Sequence, residues 1–450
     1  MAAPRILMAV CMGCLAPSVA SAQAPSADET AALDLAPPES AMPDTDAPEP
    51  ANMALQGMLE WALGHDSWRP HTFAGPPPSH ARGRFSAAIY VDRPLTDQVR
   101  GVFADRIDIG WRAGEGTPDA DAITHTLKEA YLSIGAKDAF LDVGRFNERI
   151  GVAYAYNPTD IARRYAVVAR PSDDPALVRS DRLGKVGIRA QRLWPDGSVV
   201  AVVAPRLRRS PSGAVLSPYI ERSNSDTQAW VRASRRFGEA TQAEALVHYD
   251  PASGAAWGMN LSTLSGESTV IYAEALATRE GSLAQRALAP RDPNAPFALP
   301  DVHDAYRLRA SLGASITLTE KFSTALEWHY DGTAYDRQAW DTLANPQSVD
   351  QLRRYLQVRA YAVEAQDNLT RQYAFARAAW REPFGKDTAL TAFTRANLAD
   401  HSRYTWLQFA RDLEHCSLTV TFAHAAGDRH TEFGDVPART SLQVALSIAL

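Results

Sequence analysis

Residues 305–318 read Ala-Tyr-Arg-Leu-Arg-Ala-Ser-Leu-Gly-Ala-Ser-Ile-Thr-Leu, and their alternation decides the fold. Tyr306, Leu308, Ala310, Leu312, Ala314, Ile316 and Leu318 fall on one face. Arg307, Arg309, Ser311, Gly313, Ser315 and Thr317 fall on the other. The period is two, which belongs to a strand and not to a helix. No charge lies on the first face, so it suits hydrocarbon, while the second suits water. A strand with one side toward lipid and the other toward a wet lumen is the unit of a transmembrane barrel.

The C-terminal segment repeats the pattern: Leu442, Val444, Leu446, Ile448 and Leu450 alternate with Ser441, Gln443, Ala445, Ser447 and Ala449. Outer-membrane barrels usually finish on such a strand, commonly with Phe where this chain has Leu450. Working outward from these two stretches, the same period predicts strands over 57–65, 83–92, 98–112, 123–135, 138–145, 183–194, 198–207, 227–237, 241–249, 255–264, 268–278, 305–318, 321–331, 371–381, 387–398, 402–412, 416–425 and 439–449. Short polar or glycine-bearing turns join several pairs, as in Trp194-Pro195-Asp196-Gly197 and Pro383-Phe384-Gly385-Lys386-Asp387. Much longer connections lie between them, at 146–182, 208–226, 279–304 and 332–370. With both termini periplasmic, every long connection falls outside and every short turn inside. The reading is therefore an all-β, up-and-down antiparallel barrel of about eighteen strands. Leu352 to Val363 also alternates and could be a strand, an extended loop or a lumenal plug. Parity assigns it to a loop. Trp111, Trp194, Trp328 and Trp380 fall toward strand ends, where interfacial aromatic girdles belong.

The first 22 residues have the form of an export signal: Arg5, an apolar run from Ile6 to Leu15, and a small-residue cleavage site at Ala20-Ser21-Ala22. Residues 23–52 are rich in Pro and Ala. They carry seven acids (Asp28, Glu29, Asp34, Glu39, Asp44, Asp46, Glu49) and no Lys or Arg, the composition of a disordered periplasmic tail. Residues 53–450 form the barrel. Cys11 and Cys14 lie within the signal, leaving Cys416 alone, so an internal disulfide or a cysteine-ligated metal is excluded from the mature chain. No cofactor or metal is expected. The formal net charge of −6 and the lack of a basic excess point away from nucleic acid.

Taking the apolar face as outward turns Arg100, Arg106, Arg189, Arg232, Arg236, Arg307, Arg309 and Arg377 inward, along with Asp108, Glu129, Asp142, Glu244, Glu274, Glu327, His248 and His329. Arg145, at the end of its strand, is counted among the lumenal arginines. Such charges either line a path for an anion or brace the wall as arginine–carboxylate ladders, and the near-equal numbers of acids and arginines favour bracing slightly. Asn157-Pro158-Thr159-Asp160 opens a long connection, followed by Arg163 and Arg164. Pro158 keeps Asn157 out of helix, and Asn157 and Asp160 can bond the backbone, so this loop is a candidate lumenal constriction. Asp400-His401-Ser402 is the one local cluster resembling a hydrolase site. Neighbouring residues on extended chain point to opposite faces, and no catalytic motif is present, so no enzyme activity is expected.

Leu127-Lys128-Glu129-Ala130-Tyr131, Leu141-Asp142-Val143-Gly144-Arg145 and Tyr156-Asn157-Pro158-Thr159-Asp160 together resemble a group of proteobacterial outer-membrane barrels similar in layout to the alginate-export porins. Asn397-Leu398-Ala399-Asp400-His401-Ser402 and Gly427-Asp428-Arg429-His430-Thr431-Glu432-Phe433-Gly434 resemble the same group. In that group the former loop reads more like Asn-Leu-x-Asp-Gly-Ser, so His401 departs from it. The resemblance implies an eighteen-stranded outer-membrane channel, embedded in lipid, passing an anionic polysaccharide or another anionic or amphipathic solute through an arginine-lined lumen. The competing reading is a plugged barrel whose tail recruits a periplasmic export partner.

Overall fold

The computed structural model describes residues 54–70, 79–113, 122–207, 212, 214–251, 253–289 and 305–450. The signal and the acidic tail lie outside these residues. Eighteen strands follow in chain order: β1 Ala54–Trp68, β2 Ala81–Pro94, β3 Val99–Arg112, β4 Ile123–Ala136, β5 Ala139–Phe146, β6 Lys185–Trp194, β7 Gly197–Ala204, β8 Gln228–Phe237, β9 Thr241–Asp250, β10 Gly254–Ser265, β11 Thr269–Thr278, β12 Arg307–Thr319, β13 Phe322–Asp331, β14 Gln372–Arg381, β15 Thr388–Asn397, β16 Arg403–Asp412, β17 Ser417–Ala426 and β18 Ala438–Ala449. Each pairs antiparallel with its sequence neighbours, and β1 pairs with β18, from Met58 opposite Ala449 to Trp68 opposite Ala438. That pairing leaves no edge, so the ladders close on one another without help from water. Each predicted strand is present, with ends moved by a few residues.

Burial runs opposite to that of a soluble protein. Leu308, Leu312, Leu326, Trp257 and Met259 are exposed on the outer wall, whereas Arg106, Asp142, Glu274, Arg309 and Glu327 are buried inside. An apolar belt of this kind is stable only in a bilayer, and with strand crossing it places the chain in an outer membrane. Trp194 and Trp380 sit outward near the short turns, and Trp111 and Trp328 sit outward toward the other end. They mark the two interfaces.

Three helices in the long connections cap the outer mouth: α1 Leu283–Leu288, α2 Arg337–Ala344 and α3 Val349–Ala365. Helix α3 contains the ambiguous segment 352–363, which is neither a strand nor irregular loop. Its buried residues are Tyr355, Val358, Ala362 and Ala365. That spacing is helical, and the alternation of Leu356, Val358, Ala360 and Ala362 was coincidental. Ser348 caps its start by accepting from the Gln351 amide. Leu283, Ala287, Trp340, Ala344, Tyr355, Val358 and Leu369 form a small apolar core among the three helices.

Candidate functional site: a lumen crossed by a loop

Loop 147–184 leaves β5 and turns into the barrel. The Asn157-Pro158-Thr159-Asp160 segment is tightly folded: the Asp160 amide donates to the Asn157 carbonyl (3.2 Å), and a single 3-10 turn follows over Ile161–Arg163. Arg182 holds this turn by donating to both carboxylate oxygens of Asp160 (2.7 and 3.0 Å), and Arg163 donates to the Asn157 carbonyl (2.7 Å). A bidentate arginine fixes orientation as well as distance.

Two carboxylates on the opposite wall receive the loop. Glu274 of β11 accepts from the amides of Val152 and Ala153 and from the Thr159 hydroxyl (3.0 Å). Glu327 of β13 accepts from the amides of Tyr154 (2.5 Å) and Ala155 (3.0 Å) and from the Tyr272 hydroxyl (2.8 Å). Gly151 has φ of +107°, and an added Cβ there would stand 2.6 Å from Glu274 Oε1, so only glycine allows the approach. The loop also reaches further strands. Tyr154 stacks on Phe375 of β14, Tyr404 of β16 donates to Asp173 (2.5 Å), and Arg84 of β2 donates to the Pro171 carbonyl (3.1 Å). It therefore spans the interior from wall to wall.

Most of the lumenal arginines are matched to acids. Arg106 pairs with Asp108 (3.0 Å) and reaches Asp181 (3.4 Å). Arg189 bridges Asp142 (2.7 Å) and Glu148 (2.8 Å), and Arg232 bridges Glu148 (3.0 Å) and Glu244 (3.1 Å). Arg307 donates to the Glu280 carbonyl (2.8 Å), Arg377 lies 4.4 Å over the Tyr154 ring, and Glu129 accepts from the Asn147 amide (3.2 Å). Arg236 is exposed at the periplasmic rim, where it donates to the Pro195 carbonyl (3.1 Å). Arg145 is not lumenal. It stands opposite Ala130 and Val186 on the outer face, because its neighbour Phe146 takes the inward direction. There it donates to the Leu127 carbonyl (3.0 Å) and the Ser223 hydroxyl (3.1 Å), covered by loop 205–227.

A second cluster ties three outer loops to the wall. Arg163 and Arg164 from loop 147–184 and Arg286 of α1 converge on Asp367 and Glu280, joined by Arg309 of β12. Burial alone would raise both carboxyls. For Asp367 the arginines Arg286, Arg309, Arg164 and Arg163 outweigh burial, and for Glu280 Arg164, Arg309 and Arg286 do. Both acids are held below the usual carboxylate range. Sequence reasoning marked Arg163, Arg164 and Arg309 but missed Glu280, Arg286 and Asp367. These come from connections far apart in the chain, and no local pattern announces them.

Asp400-His401-Ser402 is a structural latch. Ser402 donates to Asp400 (2.6 Å) and accepts from the Phe433 amide (3.1 Å). Asp400 also accepts from Trp340 Nε1 (2.9 Å) and the Glu432 amide (2.7 Å), which binds the helical cap to the β17–β18 loop. His401 is exposed with φ of +61°, the conformation for which glycine is favoured. No hydrogen bond joins it to Ser402 among the described residues.

No protein-family model matches the sequence, and no curated protein is similar to it. The fold is shared with solved outer-membrane proteins. OccAB1 of Acinetobacter baumannii superposes with a TM-score of 0.53 at 9% identity, over 88% of this chain and 96% of that one. A BenF-like porin from Pseudomonas fluorescens Pf-5 gives 0.52 at 10% identity, over 89% and 98%. The outer membrane protein OprD of Pseudomonas aeruginosa gives 0.51 at 9% identity, over 88% and 93%. These likenesses establish the porin barrel as the architecture.

Proposed function

We propose that the chain is an outer-membrane channel, narrowed by loop 147–184, that admits small polar solutes with a preference for anions. The observation that carries this reading is the loop itself, drawn across the lumen and held by Glu274 and Glu327. A loop crossing the lumen narrows it, which suits a small solute better than the anionic polysaccharide suggested by the sequence resemblance. The anion preference rests on Arg395, whose hydrogen bond and ring contact are to neutral groups: it donates to the Asn368 amide oxygen (2.7 Å) and lies 4.3 Å over the Tyr373 ring, while its charge also acts on the buried Glu432 carboxyl. A guanidinium satisfied in this way retains attraction for a passing carboxylate. Sharing the porin architecture supports a channel without naming its solute.

The scaffold reading also has an observation in its favour. The pairing of most lumenal arginines, including Arg106, Arg189, Arg232 and Arg309, braces the wall and would suit a permanently closed barrel. Conductance of the folded protein in a planar bilayer, with reversal potential measured across a salt gradient, separates the two. Steady openings with an anion-shifted reversal potential support the channel. Silence in both the native protein and a variant whose loop anchors are removed overturns it and leaves the plugged barrel.

A further inference from the structure

The outer wall of β2–β5 is not uniformly covered by large side chains. Register places Arg93 opposite Gly101, Gly101 opposite Leu132, Phe103 opposite Ala130, and Leu132 opposite Val143, all on the outward face. Gly101 and Ala130 are the small members of this patch. Leu95, Phe103, Leu132 and Val143 stand around them, each 40% or more exposed. The result is a groove of about 400 Å³ with mainly apolar walls, within the roughly 300–1,000 Å³ of small-ligand sites.

Its position identifies what meets it. The groove runs along the lipid-facing wall next to the 95–98 turn, at the periplasmic end of β3. Arg93 lines it at that end. Arg93 is exposed and has no hydrogen bond or ion pair among the described residues. A cation at headgroup depth above an apolar slot is complementary to a phosphate with an acyl chain below it.

We propose that this groove binds one phospholipid of the periplasm-facing leaflet, with an acyl chain over Gly101 and Ala130 and the phosphate on Arg93. The site is independent of the channel reading and would exist in a closed barrel too. It predicts a lipid that stays with the protein through detergent extraction, unlike the lipids that brush past the rest of the belt.

The test is native mass spectrometry of the folded full chain in micelles, titrated with phosphatidylglycerol. Four proteins are compared: native, Arg93→Gln, Gly101→Val, and Leu312→Ala as a control on the far wall. An added Cβ at Gly101 meets Leu95 Cδ1 at 3.5 Å and Leu132 Cδ2 at 3.8 Å, which are ordinary contacts, so valine fills the groove without straining the strand. The native protein and Leu312→Ala should each retain one phosphatidylglycerol. Arg93→Gln should lower retention several-fold, and Gly101→Val should abolish it. Equal retention in all four proteins overturns the proposal, as does no retention in any. A native dimer that Gly101→Val converts to monomer also overturns it, because a second copy of the chain would then occupy the groove. Arg93→Gln changes an exposed side chain, so it decides the phosphate contact even if Gly101→Val folds poorly.

Discussion

Glu274→Ala tests whether the lumen is narrowed by an anchored loop. In the native chain the Glu274 carboxylate accepts from the Val152 and Ala153 amides and the Thr159 hydroxyl, all within the barrel. Alanine leaves the two amides without an acceptor, whereas the Thr159 hydroxyl can still donate to Asn260 Oδ1 (2.9 Å). Each buried donor left unsatisfied costs about 1–3 kcal/mol. Water entering the vacated space offsets part of this, so the lower end of the range applies, about 2 kcal/mol in total. At about 1.4 kcal/mol per factor of ten, the population of the released loop should rise roughly thirtyfold. The barrel itself should hold, because its ladder hydrogen bonds do not involve Glu274's side chain. Hydrogen exchange at amides 152–155 should accelerate by a comparable factor while strand amides stay protected. Single-channel conductance should rise or become noisier. If exchange at 152–155 accelerates and conductance is unchanged, the loop does not limit the pore. If exchange is also unchanged, the anchoring argument itself is wrong.

Three other outcomes follow from the outer loops. Asp367 is held below its usual range, so its contribution to stability is complete above the unfolded value of about 3.9 and is lost only as pH falls through the lower folded value. Trp340 fluorescence, reporting on the helical cap, should therefore be steady at mildly acid pH and change only well below about pH 4; a transition near neutrality would contradict this. Glu432 has the opposite sign. Burial raises its carboxyl, with Arg395 and the Tyr373 hydrogen bond opposing. Its charged form therefore weakens the β17–β18 loop as pH rises from about 4.3 through the raised folded value. Glu432→Gln should remove that pH dependence from exchange in residues 428–435, since its carbonyl can still accept from Tyr373; an undiminished dependence points to another group. His401→Gly should stabilise the β15–β16 hairpin by on the order of 1 kcal/mol by relieving the left-handed conformation. A lower melting temperature for this variant would show that the His401 side chain has a role the structure does not reveal.

Alternation in single segments was sufficient for the barrel. Tyr306 to Leu318 shows why: in a strand bounded by lipid on one side and water on the other, every second residue is selected by its solvent, and local order alone carries that information. The same logic, with turn lengths, was enough for strand number and for which ends face outward. It failed where the environment was not simply lipid or water. Segment 352–363 alternates by chance, and its helix depends on Leu283 and Trp340 from other loops. Arg145 lies within β5 in step with outward Leu141 and Val143, so the alternation itself places it outside, and only the loop residue Ser223 that covers it could not be read from the strand. Val200, Val202, Trp230 and Leu246 are buried inside the barrel beneath loop 147–184, although an inner face alone would be expected to be polar. The candidate site was legible only as a set of residue types. Asn157, Asp160, Arg163 and Arg164 could be marked as a loop apt to constrict, but not matched to Glu274, Glu327 and Asp367. Those partners lie a hundred or more residues away, and closure of eighteen strands is what brings them within a hydrogen bond.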